Sequence, residues 1–394
     1  MTIRDLGFRA FDCDNHYYEA EDAFTRHIDR RMAKRAMQWA VVDGRKRLLV
    51  GGRINRFIPN PTFDPVARPG ALDEFFRGRN PEGKSMPELF GRLEPIRAAY
   101  RDRDARLALM DEQGIEAAFL FPTLGVGMEE ALKHDPPALV AAFGAFNRWL
   151  EEDWGFAYRE RLFAAPMITL VDVDAAVAEL ERALERDVRV VCLRSAPVAT
   201  RSGNRSPGDA MFDPFWARAS EAGVTVAFHS GDSGYHRYAE DWGESSEMEA
   251  FRYSPLRLAL SANPILDTMA ALVCHGVFAR HPRLRVATIE SGSEWVALLL
   301  AKLKKAHGQM PQAFVEDPRE TFCRHVWVSP YYEDDIAELR DAIGAGHILM
   351  GSDFPHAEGL AEPTAFVDEL SGFSSGDIRS IMRDNGWSLA RRVA

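Results

Sequence analysis

Much is missing from this sequence, and each absence narrows the choice. The 394 residues include only four cysteines, Cys13, Cys192, Cys274 and Cys323, far apart and with no CxxC pair. That excludes a disulfide framework and a cysteine-built zinc site. The expectation is four buried thiols in a reducing, cytoplasmic setting. No run reaches the roughly 18 uninterrupted apolar residues of a membrane span. The opening Met1-Thr2-Ile3-Arg4-Asp5 lacks the charged-then-apolar pattern of a secretion signal. Excess basic charge is also absent: 48 Lys and Arg face 59 Asp and Glu, for a net charge of -11. No basic stripe exists to follow a nucleic acid, although a few local arginines can still bind an anionic small molecule. There is no Walker loop, no GxGxxG after a strand, no HExxH and no internal repeat. Gly231-Asp232-Ser233-Gly234 matches a serine-protease nucleophile motif. Nothing else in the chain follows that two-barrel pattern.

What is present is an ordinary globular mixture, 46% hydrophobic and 27% charged. Eight short apolar runs punctuate it: Phe8–Asp14, Ile115–Phe121, Leu162–Ile168, Val188–Leu193, Val224–Phe228, Leu284–Ile289, His325–Val328 and Ile348–Met350. They are mostly non-alternating, as parallel strands buried on both faces are. Amphipathic segments lie between them, at Tyr100–Gln113, Asp172–Arg186, Ala270–Arg280 and Glu294–Lys305. The expectation is an α/β fold, a (β/α)₈ TIM barrel in one domain over 1–394. An open doubly wound sheet is the alternative that strand count alone does not settle. Two segments exceed the repeat. Residues 18–98 read as a cap inserted after the first strand, with a hairpin around Asp43-Gly44. Residues 230–262 read as a long loop on the catalytic face.

Ligand-type residues fall at strand ends. Asp14 and His16, two apart, point to one side of the first strand. His229 ends the fifth strand and Asp353 follows the eighth. Each alone is equally a strand-end group bonded to backbone, or a helix cap. Together, two carboxylates and two imidazoles suit one divalent metal, zinc foremost, with manganese, iron or cobalt as alternatives. Arg194, after the fourth strand, reads as a substrate-carboxylate grip or an ion pair. His236 reads as a pocket-lining or bystander histidine. His275 reads as structural, at the opposite end of the barrel.

Asp14-Asn15-His16, Phe228-His229-Ser230, the run from His275 to Arg285, and Gly351-Ser352-Asp353-Phe354-Pro355-His356 resemble the amidohydrolase-2 family over nearly the whole chain. That family includes aminocarboxymuconate-semialdehyde, γ-resorcylate and 5-carboxyvanillate decarboxylases. The resemblance implies a (β/α)₈ barrel, one divalent metal, a small-molecule substrate and a homodimer. Family decarboxylases carry a catalytic histidine where this chain has Glu290. Two reactions follow from the resemblance: non-oxidative decarboxylation, or hydrolysis by metal-activated water with Asp353 as base and Glu290 as proton donor. A metal-free lactonase-like hydrolase or a non-catalytic ligand-binding barrel is the remaining alternative.

Overall fold

The structure is a computed structural model and describes residues 6–58, 60–245 and 249–392. Met1–Asp5, read above for a secretion signal, lies outside the described residues, as do position 59 and positions 246–248 of the two insertions.

Seven parallel strands carry the centre: β1 (Ala10–Tyr17), β2 (Ile115–Pro122), β3 (Leu162–Ala164), β4 (Val190–Arg194), β5 (Thr225–His229), β6 (Arg285–Ile289) and β7 (Val326–Val328). β1 pairs with β2, and β2 with β3. β4, β5, β6 and β7 pair in that order. Single bridges add Met167 to Cys192 and Val328 to Ile348. Cys13 N–H donates to Met350 C=O at 2.8 Å, and Asn15 bridges Phe354. The third and eighth runs are shorter as strands than their apolar character suggested. Pro166 has no N–H to extend β3, although its carbonyl still accepts from Cys192 N–H at 2.9 Å. Ile348–Met350 pairs only through isolated bonds.

Side-chain alternation sorts the strands into two layers. Phe11, Cys13, Phe119, Phe121, Phe163, Cys192, Ala227, Ala287 and Leu349 form one cluster. Leu120, Val191, Leu193, Val226, Phe228 and Val286 join the larger one, shared with the helices. Phe11 meets Phe119 edge-on at 5.0 Å and Trp387 at 5.2 Å, so a C-terminal helical turn stoppers the first cluster. Each such pair contributes about 0.5–1.5 kcal/mol beyond area burial.

Helices follow the strands: α1 (Arg103–Gln113), α2 (Pro136–Asp153), α3 (Val173–Leu184), α4 (Asp213–Ala222), α5 (Pro264–Cys274), α6 (Glu294–Gln309) and α7 (Ile336–Ile343). Asp102 caps α1 by accepting from Ala105 N–H, and Gly114 at φ +73° ends it. Asp172 caps α3 in the same way. The segment expected as one helix over Ala270–Arg280 instead begins at Pro264 and breaks at Gly276. His275 lies exposed at the end of α5. Pro255–Cys274 is apolar over 20 residues, with a mean hydropathy of 1.2. It is two helices, separated where Leu260 turns extended and Asn263 caps α5. The thiol expectation needs correcting: Cys13 and Cys192 are buried, but Cys274 is exposed and Cys323 half-buried, because their helix positions face outward.

The first insertion holds the hairpin, Met37–Val42 against Arg45–Val50, turning at Asp43 and Gly44 with φ of 51° and 71°. The second holds short helices at His236–Glu240 and Pro255–Ala259. The two insertions touch: Ala250 N–H donates to Phe57 C=O, and Phe90 packs on Phe251 at 5.1 Å. Leu72 N–H bonds Ala357 C=O at 2.8 Å, which ties the first insertion to the turn after the eighth segment.

Candidate metal centre and active site

β1 and β2 slip register between Asp12 and Asn15. Phe11 and Cys13 belong to the inner cluster, and Asn15 faces the other way, towards Arg106. The slip lets Asp14 and His16 turn inward above that cluster, which strict alternation forbids. His229 ends β5. Glu290 and Asp353 sit one residue past β6 and three past Met350.

The donor atoms of these residues converge. His16 Nε2 lies 3.2 Å from Asp14 Oδ1, 3.3 Å from Asp353 Oδ1, 3.3 Å from His229 Nε2 and 3.9 Å from Glu290 Oε2. His229 Nε2 lies 3.3 Å from Glu290 Oε2 and 3.6 Å from Asp14 Oδ1. Ligands held about 2.0–2.2 Å from one ion stand roughly 3.0–3.5 Å from each other, so these separations fit a shared metal. Asp14 Oδ1 is buried and completes no hydrogen bond despite the two imidazoles beside it. An orphaned carboxylate oxygen facing ring nitrogens is what a cation site presents before its ion is counted.

The electrostatics agree. Burial alone pushes Asp14 up, but its interactions with His16 and His229 outweigh that and hold it well below the usual carboxylate range. Burial, with the nearby His356, pushes His16 down to about 3, keeping it a neutral ligand. Burial depresses His229 as well, yet Asp14 and Glu290 raise it overall. Burial and the charge of Asp353 push Glu290 well up; burial and Glu358 do the same to Asp353. Four carboxyls, Asp14, Glu290, Asp353 and Glu358, crowd the two imidazoles in an acid-rich pocket that suits a divalent ion.

Two of those carboxylates come from strained backbone. Glu290 and Asp353 adopt left-handed φ values of 49° and 54°, costing about 1–3 kcal/mol each for a non-glycine residue. The turn carrying Asp353 folds tightly between glycines. A Cβ at Gly351 would meet Asp14 Cβ, and one at Gly359 would meet the carbonyl oxygens of Ser352 and Asp353. Asp12 braces the turn from behind, accepting from Ser352 N–H at 3.0 Å, Ser352 Oγ–H at 2.5 Å and Asn15 Nδ2–H at 2.8 Å. Burial lifts Asp12 to about 6 against these bonds.

Two acid–base groups escaped the sequence reading, His356 and Glu358. His356 Nδ1 stands 2.5 Å from Asp353 Oδ1, and its Nε2 stands 2.9 Å from Thr123 Oγ1. Thr123 Oγ1 donates its proton to Tyr17 C=O at 2.8 Å, so it accepts from His356 Nε2–H. In the neutral ring, Nδ1 is then the acceptor facing Asp353. Glu358 joins Glu290 and Asp353 in one cluster of ligand-type atoms. Both follow Asp353 within the Gly351–Gly359 turn, and that glycine spacing was the available signal.

The two expected substrate groups diverge. Arg194 lines a cavity beside His229 while pairing with buried Glu130 at 2.7 Å. His236 turns towards Asp232 at 3.4 Å and does not line that cavity.

Comparison with known proteins places this geometry. A family model described as amidohydrolase matches residues 12–386. The crystal structure of an amidohydrolase from Mycobacterium avium subsp. paratuberculosis K-10 is 48% identical, covers 98% of this chain and 99% of its own, and superposes with a TM-score of 0.92. A 5-carboxyvanillate decarboxylase from Sphingomonas paucimobilis is 16% identical, covering 98% of this chain and 100% of its own, at a TM-score of 0.59. A dihydroxybenzoic acid decarboxylase from Polaromonas sp. JS666, solved with bound manganese and an inhibitor, is 19% identical, covering 81% and 93%, at 0.56. No curated protein matches. The family and these structures imply a TIM barrel of mixed α/β content. The chain belongs to the amidohydrolase-2 family.

Proposed function

We propose that the chain is a metal-dependent hydrolase acting on the uncharged carbonyl of a small ester, lactone or amide. The observation that carries this is the convergence of Asp14, His16, His229, Glu290 and Asp353 donor atoms within 3.9 Å of the His16 and His229 nitrogens. Asp14, His16, His229 and Asp353 would hold the ion. The site suits zinc, and manganese, which the Polaromonas relative binds, suits it as well. A bound divalent ion supplies Lewis acidity and makes water acidic enough to attack at neutral pH.

The chain's own groups move the protons. Asp353, ionised when an ion is bound, would take the proton of the attacking water, with His356 Nδ1 2.5 Å away as the next acceptor. Glu290, beside His229, protonates the leaving group. Charge bears on the substrate as well. With Asp14 and Asp353 ionised and Glu290 holding the proton it donates, one divalent ion is already balanced, and the crowding of Glu290, Asp353 and Glu358 favours an uncharged carbonyl over a further carboxylate.

The architecture we propose is one closed (β/α)₈ domain over 1–394, with 18–98 as a cap and 230–262 as an active-site loop. The bonds from Val328 to Ile348 and from Cys13 to Met350 support closure over an open doubly wound sheet, which needs two free edges. The reading includes a homodimer, which light scattering tests.

A second reading, non-oxidative decarboxylation, draws on Asp353, whose raised carboxyl can deliver a proton to carbon. A substrate panel separates the two. Hydrolysis predicts metal-dependent acid release from lactones and esters, abolished by chelation. Carbon dioxide release from aromatic carboxylic acids, without any hydrolysis, would overturn it in favour of the lyase.

A further inference from the structure

Beside the metal cluster, and sharing His229 with it, lies a cavity of ≈ 180 Å³ between the end of β4 and the start of α5. That is smaller than the roughly 300–1,000 Å³ of a drug-sized ligand pocket, and on the scale of one substituent. Three features of its wall point the same way. Arg194 carries a guanidinium whose side chain is 9% exposed. The N-terminus of the eleven-residue α5 faces the cavity through Asn263, Pro264 and Ile265. Pro264 has no N–H and Asn263 Oδ1 takes that of Leu266, which leaves Ile265 N–H as the free donor at this end among the described residues. Ser195 lines the cavity at 5% exposure, and its Oγ has no hydrogen-bond partner. An unpaired buried hydroxyl costs about 1–3 kcal/mol.

The charge behind the wall is positive. Glu130 pairs with Arg194 at 2.7 Å, Lys133 at 2.7 Å and Arg237 at 2.9 Å, so one carboxylate faces three cations. Neighbouring Glu129 is pushed up by burial, towards its neutral form. The nearby acids are engaged elsewhere: Asp232 accepts from Gly234 N–H and Asp267 from Tyr235 Oη–H.

We propose that this cavity binds an anionic oxygen group, carboxylate or phosphate, at the end of the substrate remote from the reacting carbonyl. Arg194, Ser195 and the α5 N-terminus bind the anion, and His229 marks the boundary with the metal cluster. The proposal rests on the hydrolase reading and names its substrate class: a neutral ester, lactone or amide with an anionic tail. The acid cluster at one end and the three cations around Glu130 at the other orient such a molecule in one direction only.

The test is calorimetric titration of the protein as purified, its metal content measured on the same sample, with glutarate and with inorganic phosphate. At least one probe should bind. Binding of glutarate alone identifies a carboxylate tail, and binding of phosphate alone a phosphorylated one. Ser195→Ala should weaken binding roughly tenfold, the loss of one hydrogen bond to a charged group. Arg194→Gln should weaken it at least roughly tenfold. Ser195→Ala removes no bond present in the fold, so it remains informative if Arg194→Gln fails to fold. No binding of either probe overturns the proposal. So does binding that both variants leave unchanged and a chelator abolishes, since the anion then sits on the metal. Metal without anion binding defeats this inference alone, whereas anion binding without metal defeats the hydrolase reading and leaves the subsite standing.

Discussion

The proposed metal centre has two halves built differently. Asp14, His16 and His229 stand on strands, buried, in backbone that any residue adopts. Glu290 and Asp353 stand on turns, in left-handed backbone that disfavours their own side chains, and remain partly exposed. On the proposed reading the strand half fixes where an ion sits. The turn half holds strain, and burial and repulsion push its carboxyls up. By that reading the strand residues bind, while the turn carboxyls move protons and Asp353 does both.

That division can be broken by substitution. The largest effect is expected from His229→Ala, which removes a strand ligand. Metal content should fall to near zero and activity with it; unchanged stoichiometry would reject His229 as a ligand. Glu290→Gly and Asp353→Gly attack the other half. Activity should fall about 10²–10⁴-fold, the range of a lost general acid or base. The apoprotein should gain on the order of 1 kcal/mol as the backbone relaxes, read as a raised melting temperature. Loss of stability in both would remove strain from the account.

Smaller effects probe the braces. Asp12→Ala unties the Asp353 turn from β1, and metal affinity should drop about 10–100-fold, as for other outer-shell partners. Equal affinity would make Asp12 a bystander. Glu19, 2% exposed, accepts N–H bonds from Leu124 and Gly125, and burial lifts it from 4.5 to about 7. The folded form therefore binds more protons than the unfolded one, and stability present below pH 4.5 is lost as pH rises through 7. Glu19→Gln keeps an acceptor and removes the ionisation. Its advantage over the wild type should grow from pH 5 to pH 8, to on the order of 3 kcal/mol. Parallel melting profiles would contradict this.

The same contrast explains what the sequence disclosed. Asp14, His16 and His229 were legible as a converging group because buried strands announce themselves as apolar runs, and these ligand-type residues stand at their ends. The register slip after Asp12 was not legible, because a bulge depends on the partner strand; the two-residue spacing pointed to the right pair without revealing how it turns inward. Asp353 was found as a strand-end carboxylate and Glu290 through the family resemblance, but their left-handed backbone had no sequence mark. His356 was quoted in the Gly351–His356 motif without a role, and Glu358 was not singled out, because a turn has no period to read. The insertions were visible as excess length, and the hairpin at Asp43-Gly44 as a turn dipeptide. Their contacts, Phe90 on Phe251 and Ala250 on Phe57, join residues about 160–190 positions apart that no local pattern links. Arg194 was recognised at its rim, yet Glu130, its buried partner, came from an unremarked acidic pair.

Elemental analysis of the purified protein by plasma mass spectrometry, with no metal added, tests the central claim most directly. The account predicts close to one transition metal per chain, reduced to near zero in His229→Ala. A chain that holds no metal and takes none up would contradict it and move the weight to metal-free hydrolysis or ligand binding in the barrel.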